Sequence, residues 1–338
     1  MARRTGASYR LHRSVRRLPV AETVEFPAVD PICMEVRRGN FPDRIRFHAP
    51  GLKRFQTSEY SSQDVAEFAS VSLTGGACAL KCEHCNMKVL RGMDDLTLHG
   101  GSLFDLCARL RERGSRGVLI SGGSDAQGRV PLLAHMEDLI RVRRELGLVI
   151  RVHPGLPDEE TCAGLAEVGI DGAMVDLIGH RDTIRDVYHL EAEPAEYEAV
   201  LDRLNRHRVP TVPHIILGLH FGQMLGEQHA LQMVVRHPPE LLVLVVLMPL
   251  SGTAMAQVEP PSLQEIGAFF HAARTALPST PVMLGCARPL GSMKERIDRL
   301  AVDAGLNGIA YPSDGIVTYA RDNGLEPEFI NACCGVSW

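Results

Sequence analysis

From residue 71 onward the sequence alternates short apolar runs with amphipathic stretches, and this rhythm restricts the fold more than any other feature. The runs are VSLTG (71–75), GVLISG (117–122), LVIRVH (148–153), DGAMVDL (171–177), TVPHIIL (211–217), LLVLVVLM (241–248), PVMLGC (281–286) and GIAYP (308–312). Each has the length of a buried strand. Between them, stretches such as GSLFDLCARLRERG, LLAHMEDLIRVRREL and EYEAVLDRLNRH repeat apolar residues at three- and four-residue steps, the period of a helix with one buried face. Strands separated by helices pair in parallel. Eight such units predict an α/β chain folded as a closed (β/α)8 TIM-type barrel. The alternative is a partial (β/α)6 barrel whose last units fold elsewhere. A barrel carries its chemistry at the C-terminal ends of its strands, which directs attention to the residues that follow each run.

The barrel is expected over residues 70–325. An N-terminal extension, partly irregular, takes residues 1–69, and a cysteine-containing tail takes 326–338. In the extension, Pro27, Pro31, Pro42 and Pro50 leave no room for a long helix, while IRFHAPG (45–51) can pair as a short strand before a turn. Six arginines and no acid occur in residues 1–20, without the apolar segment of a secretory signal. A solvated arm, an organellar transit peptide and a docking arm for an acidic partner all fit that composition. The net charge of −5 gives no reason to expect nucleic acid. The longest apolar run, LLVLVVLMPL, is too short to span a bilayer, so no membrane role is expected.

Cys78, Cys82 and Cys85 stand in a C-x3-C-x2-C pattern on the loop after the first strand. Three thiolates on one tight loop hold three irons of a 4Fe–4S cube and leave the fourth without a protein ligand. Structural zinc and iron–sulfur sites normally close the shell with a fourth side chain, so a zinc loop or incidental cysteines are the competing readings. Nine cysteines in 338 residues do not form a secreted disulfide framework, and a thiol cluster with an open iron suits a reducing cytoplasmic setting.

This loop resembles that of the radical S-adenosylmethionine (SAM) superfamily. The resemblance implies that the open iron binds SAM and that Cys78, Cys82 and Cys85 are the cluster ligands. It places His84 where the family usually has an aromatic ring against the adenine. Gly122 and Gly123 match a Gly-Gly-Glu motif whose backbone meets the cofactor's methionine, with Ser124 in place of the acid. Glycine permits such an approach because it has no Cβ. Asp176 matches the acid that bonds the ribose hydroxyls in biotin-synthase-like members, and a backbone-bonded buried Asp is the alternative. Gly218 lies in a stretch similar to the glycine-containing motif beside the adenine. PLSGT (249–253) resembles a Pro-x-x-Gly-Thr turn on the substrate side, with a helix N-cap at Ser251 or Thr253 as the alternative. Arg151, at the end of its strand, can clamp a carboxylate of the cofactor in bidentate fashion or form a salt bridge within the barrel.

Of the remaining cysteines, Cys107 and Cys162 sit on helical stretches and read as core thiols. Cys33, Cys286, Cys333 and Cys334 lie among loops and strand ends and can hold a second Fe–S cluster if the fold brings them together. With LGCARPLGSMKERIDRLAVDAGLNGIAYP, IRFHAPG and the CC tail, the chain resembles the split, archaeal-type lipoyl synthases. That likeness implies insertion of sulfur into an octanoyl chain held on a carrier protein domain, with the auxiliary cluster as sulfur source. It also implies a paired radical SAM subunit and a reductant such as ferredoxin or flavodoxin. Ser337 is similar in position to the C-terminal serine of standard lipoyl synthases. No cysteine ends the second, third or fifth strand, which argues against biotin synthase proper. The alternatives are a radical SAM enzyme that abstracts hydrogen from a small molecule without sulfur insertion, and a non-catalytic Fe–S electron carrier.

Overall fold

The structure is a computed structural model, which describes residues 31–49, 55–60 and 67–336. The Arg-rich arm and Ser337 lie outside the described residues. Helix α1 (Ile32–Asn40) and strand β1 (Arg44–His48) come first, followed by β2 (Phe68–Ser72) and the two-residue β3 (Asp94–Asp95). Then come α2 (Leu103–Glu112), β4 (Gly117–Ser121), α3 (Met136–Arg141), β5 (Val149–Val152), α4 (Glu159–Val168) and β6 (Gly172–Asp176). Two helices, α5 (Arg181–Tyr188) and α6 (Pro194–Arg206), precede β7 (Thr211–Leu217). The chain continues through α7 (Glu227–Arg236), β8 (Leu242–Val246), α8 (Leu263–Ala276), β9 (Val282–Leu284), α9 (Ser292–Asp303), β10 (Gly308–Ala310), α10 (Ile316–Asp322) and β11 (Glu326–Ile330).

All eight apolar runs are strands, β2 and β4 through β10. They form one parallel sheet in the order β11-β1-β10-β9-β8-β7-β6-β5-β4-β2-β3. Helices begin at side-chain caps where the sequence supplies them. Ser102 and Asp105 close a capping box at α2, and Ser262 and Glu265 do so at α8. Neither Ser251 nor Thr253 caps a helix, because residues 251–257 are turns and bends and α8 begins beyond them.

Side chains alternate across the strands, as a pleated backbone requires. Val71, Ile120, Ile150, Ile215, Leu244, Leu284 and Ile309 face the helices in the main core. Met174, Val212, Val243, Val245, Met283 and Ala310 face inward and surround Cys334. The sheet is therefore curled around a lumen that the C-terminal tail enters. Its two ends meet through side chains: the Asn331 amide donates to Glu67 at 3.2 Å, and Phe68 packs with Ile330, Ala332 and Val336. The hydrogen-bond ladder itself stays open among the described residues, so the architecture is a partial TIM barrel with all eight expected units in one sheet.

The extension does more than cover the barrel. β1 is inserted between β10 and β11 in parallel register, His48 opposite both Ala310 and Ile330. β11 lies in what the sequence presents as the cysteine-containing tail, where EPEFI is too short and too charged to stand out as a strand.

Candidate functional site

The cysteine loop follows β2, and the turn after β4 laces it in place. The Thr74 hydroxyl accepts from the Gly123 N–H at 2.6 Å and donates to the Ala77 carbonyl at 2.8 Å. The Ser124 N–H donates to Cys78 Sγ at 3.3 Å, and the Ala79 N–H donates to the Ser124 carbonyl at 2.8 Å. A Cβ on Gly123 would stand 1.9 Å from the Ala77 carbonyl and 2.5 Å from Cys78 Cβ, so the strand end reaches the loop only as glycine. On Gly122 it would meet Thr74 Oγ1 at 3.2 Å.

Cys82, His84 and Cys85 place their ligand atoms within 4.8 Å of one another. The Cys82 thiol donates to Cys85, which lowers the Cys85 thiol to about 4, while Cys82 is pushed up by that same bond and by burial. Cys78 is close enough to Cys82 to contribute to that rise. The His84 ring lies tilted against Tyr188 with centroids 5.3 Å apart, and its buried Nδ1 has no hydrogen-bond partner among the described residues. Two clamps on this loop come from the turn after α5. His189 Nδ1 lies 2.7 Å from the Leu80 carbonyl, and its Nε2 lies 3.0 Å from Glu83 Oε1. No local sequence signal marks His189 for that task, because its partners are over a hundred residues away.

Inside the barrel, the Tyr188 hydroxyl donates to Asp176 at 3.3 Å, and His153 Nε2 lies 3.8 Å from Asp176 Oδ1. The ligand atoms of His153, Asp176 and His214 all fall within 4.8 Å. His214 is lowered to about 4 by burial and by His153 beside it. Asp176 thus presents its carboxylate at a strand end among side chains, not in a backbone turn. Gly218, at φ +76°, makes a turn against Pro261, and its N–H donates to Glu227 at 2.9 Å.

Arg151 does not reach the cofactor end. Its two terminal nitrogens donate to the two Glu240 oxygens at 2.8 and 2.9 Å, and it lies against Gly172 at the start of β6. Arg151 points inward near the N-terminal ends of the strands, where Glu240 precedes β8 and compensates the buried guanidinium.

Cys107 and Cys162 are fully buried, and burial pushes their thiols up to about 12 and about 11, as inert core cysteines require. The outlying four divide. Cys334 donates to Cys333 and lowers it to about 7, while Cys334 itself is pushed well up. Cys286 contributes to the rise of Cys334, and Cys286, Cys333 and Cys334 all act on buried Tyr311. Cys333 and Cys334 lie in the lumen, and Cys286, exposed just after β9, stands on the same side of it, around Tyr311. Cys33 does not join them. It is buried on α1 and turned to the His271 carbonyl of α8, because the insertion of β1 sends α1 to the outer, helical layer.

The GCARP stretch holds Cys286 in place. Arg288 pairs with Asp298 at 2.6 and 3.1 Å and donates to the carbonyls of Gly285 and Tyr311, all fully or nearly fully buried.

Comparison with known proteins follows the same lines. Residues 72–223 match the family model of the radical SAM superfamily. That stretch is similar to a radical SAM domain. A biotin synthase of Bordetella avium is 26% identical over 282 residues, covering 79% of this chain and 84% of the relative. A biotin synthase of Halorhodospira halophila is 28% identical over 253 residues, 71% of this chain and 73% of the relative. Two solved structures share the fold at low identity. A methylornithine synthase gives a TM-score of 0.58 at 15% identity, covering 88% of this chain and 87% of its own. An FeFe-hydrogenase maturase gives 0.60 at 13%, covering 88% and 68%.

A radical SAM domain uses a 4Fe–4S cluster and SAM. The loop fits them: three thiols converge, one already favours the thiolate, and a backbone N–H is directed at Cys78 Sγ. Tyr188, which touches both His84 and Asp176, links this loop to the group of Asp176, His153 and His214. Among the described residues no helix is long and apolar enough to cross a membrane.

Proposed function

We propose that this radical SAM enzyme inserts sulfur into an octanoyl chain carried on a small protein domain, as a lipoyl synthase subunit. The observation that carries this reading is the second thiol group, Cys286, Cys333 and Cys334, gathered in the same barrel as the Cys78–Cys82–Cys85 loop. Sulfur insertion needs a sulfur source within reach of the substrate carbon, and a second Fe–S cluster held by these thiols is that source. The relatives named as biotin synthases support sulfur insertion as the class, and the absence of cysteines at the ends of the second, third and fifth strands supports the lipoyl reading.

When bound at Cys78, Cys82 and Cys85, the 4Fe–4S cluster with SAM supplies a 5′-deoxyadenosyl radical. The chain's own residues then bind and orient. Gly122, Gly123 and Ser124 offer backbone to the cofactor's methionine, Asp176 accepts from its ribose, and His84 and Gly218 border the adenine. A paired radical SAM subunit and a ferredoxin or flavodoxin reductant complete the reading, and its catalytic barrel takes in β1, the start of β2 and β11 besides residues 70–325.

The test is anaerobic incubation of reconstituted protein with SAM, dithionite and an octanoyl-lysyl peptide, followed by mass measurement. A gain of one or two sulfur atoms is expected. Formation of 5′-deoxyadenosine with no sulfur gained would favour hydrogen abstraction from another substrate.

A further inference from the structure

The thiols Cys286, Cys333 and Cys334 supply three ligands, and Cys33, the fourth cysteine outside the loop and the helical core, is elsewhere. The buried polar side chain packed against the tail that carries two of them is His48. It lies at the end of β1, on the same face of the sheet as Ala310, which packs against Cys334 in the lumen. The strand end is stitched between the two segments that carry or sense the thiols. The Tyr311 N–H donates to the His48 carbonyl at 2.7 Å, and the Ala49 N–H donates to the Ile330 carbonyl at 3.0 Å. The imidazole itself faces the tail: Nδ1 lies 3.4 Å from the Ala332 carbonyl, and the Cys333 backbone also reaches the ring.

His48 is fully buried, and its Nε2 has no hydrogen-bond partner among the described residues. A buried polar atom without a partner costs about 1–3 kcal/mol and calls for an explanation. A carbonyl can only accept, so the Ala332 contact places the ring proton on Nδ1 and the lone pair on Nε2. That is the tautomer of a metal-ligating histidine, whose second nitrogen is held by a backbone carbonyl. Mixed Cys and His ligation of Fe–S clusters is established chemistry.

We propose that His48 Nε2 is the fourth protein ligand of the iron–sulfur cluster held by Cys286, Cys333 and Cys334. The inference rests on the second-cluster reading given above. It assigns to β1 a purpose that its place in the sheet alone does not explain: the inserted strand carries a ligand to the lumen.

The test uses full-length protein carrying Cys78→Ala, Cys82→Ala and Cys85→Ala, so that only the second cluster forms. The protein is made with 15N-histidine or unlabelled histidine, reconstituted anaerobically with iron and sulfide, and reduced with dithionite without SAM. Pulsed electron paramagnetic resonance then reads nitrogen coupling, and iron is counted. The expected result is about four irons per chain, with a coupling that changes with the histidine isotope. His48→Ala removes that coupling and lowers iron retention several-fold. His48→Cys restores iron, lacks the coupling and lowers the midpoint potential. If His48→Ala is too unstable to isolate, the parent spectrum and His48→Cys decide the matter. Four irons with no histidine-derived coupling would overturn the ligand and leave the second cluster standing. No iron in the parent would overturn the second cluster, and the ligand with it.

Discussion

Gly123 shows how much rests on one absent side-chain atom. The turn after β4 supports Cys78 from a distance that admits no Cβ, and the Ser124 N–H reaches the sulfur from the same turn. Gly123→Ala is expected to push the two segments apart, at about 1–3 kcal/mol of overpacking strain. Iron bound at the Cys78–Cys82–Cys85 loop should fall several-fold while the circular dichroism of the fold is kept. Normal iron content in that variant would mean the loop is not positioned from β4. The same turn displays what could be read in advance. The cysteine spacing and the two glycines were visible because they are local, whereas the clamp from His189 onto Leu80 and Glu83 was not. Arg151 was visible as a charge at a strand end, but its partner Glu240 is 89 residues away, and only that partner decides where the guanidinium points.

Among the elements, the loop between β9 and α9 has the highest stake. Arg288 and Asp298 are both buried, and Asp298 also accepts from the Ser313 N–H at 2.7 Å and lies 3.5 Å from Lys294. Asp298→Ala leaves a buried guanidinium without its counter-charge and should cost about 3–5 kcal/mol in denaturant unfolding. Arg288→Met with Asp298→Leu should cost less than Asp298→Ala alone, because the fully buried guanidinium is then gone with its partner. A double variant as damaged as the single would refute the pairing argument. Since Arg288 also holds the Gly285 and Tyr311 carbonyls, Asp298→Ala is further expected to displace Cys286 and reduce iron beyond the first cluster. This explains why GCARP stands out in the sequence: its arginine is a positioning residue for the cysteine two places before it. The β1 and β11 strands were the hard elements. IRFHAPG reads as a strand, but its neighbours in the sheet are set by residues 260 or more positions away, and EPEFI is half-exposed at the sheet edge.

At the scale of the molecule, the tail and the buried histidines give two measurable consequences. Deleting residues 331–338 removes Cys333, Cys334 and the packing of Ala332 and Val336 on Phe68. Reconstituted iron should drop from about eight to about four per chain, and 5′-deoxyadenosine formation should persist without sulfur insertion. Unchanged iron content would remove the tail from the cluster. His48 and His214 are each lowered to about 4, chiefly by burial, from an ordinary value near 6.5. The unfolded chain therefore binds more protons than the folded one between those values, so stability is full above about pH 6.5 and is lost as pH falls toward 4. For cluster-free protein, urea unfolding should lose about 2 kcal/mol per histidine between pH 7 and pH 5. A flat response over that range would show that neither ring is held neutral.

The sequence by itself determined the eight strand-and-helix units, their parallel order and the open-iron cysteine loop, because each is written in contiguous residues and in periods of two or three to four. It also marked the turn after β4 and the buried helical thiols. Only the tertiary structure decided that β1 enters the sheet and that the tail turns into the lumen. It alone separates Cys33 from Cys286, Cys333 and Cys334, and sets His48 beside them. Those outcomes depend on which distant segments share a sheet edge and on how the curl brings Ile330 to Phe68. Distances of that kind follow from how the whole chain packs, and no local pattern of residues encodes them.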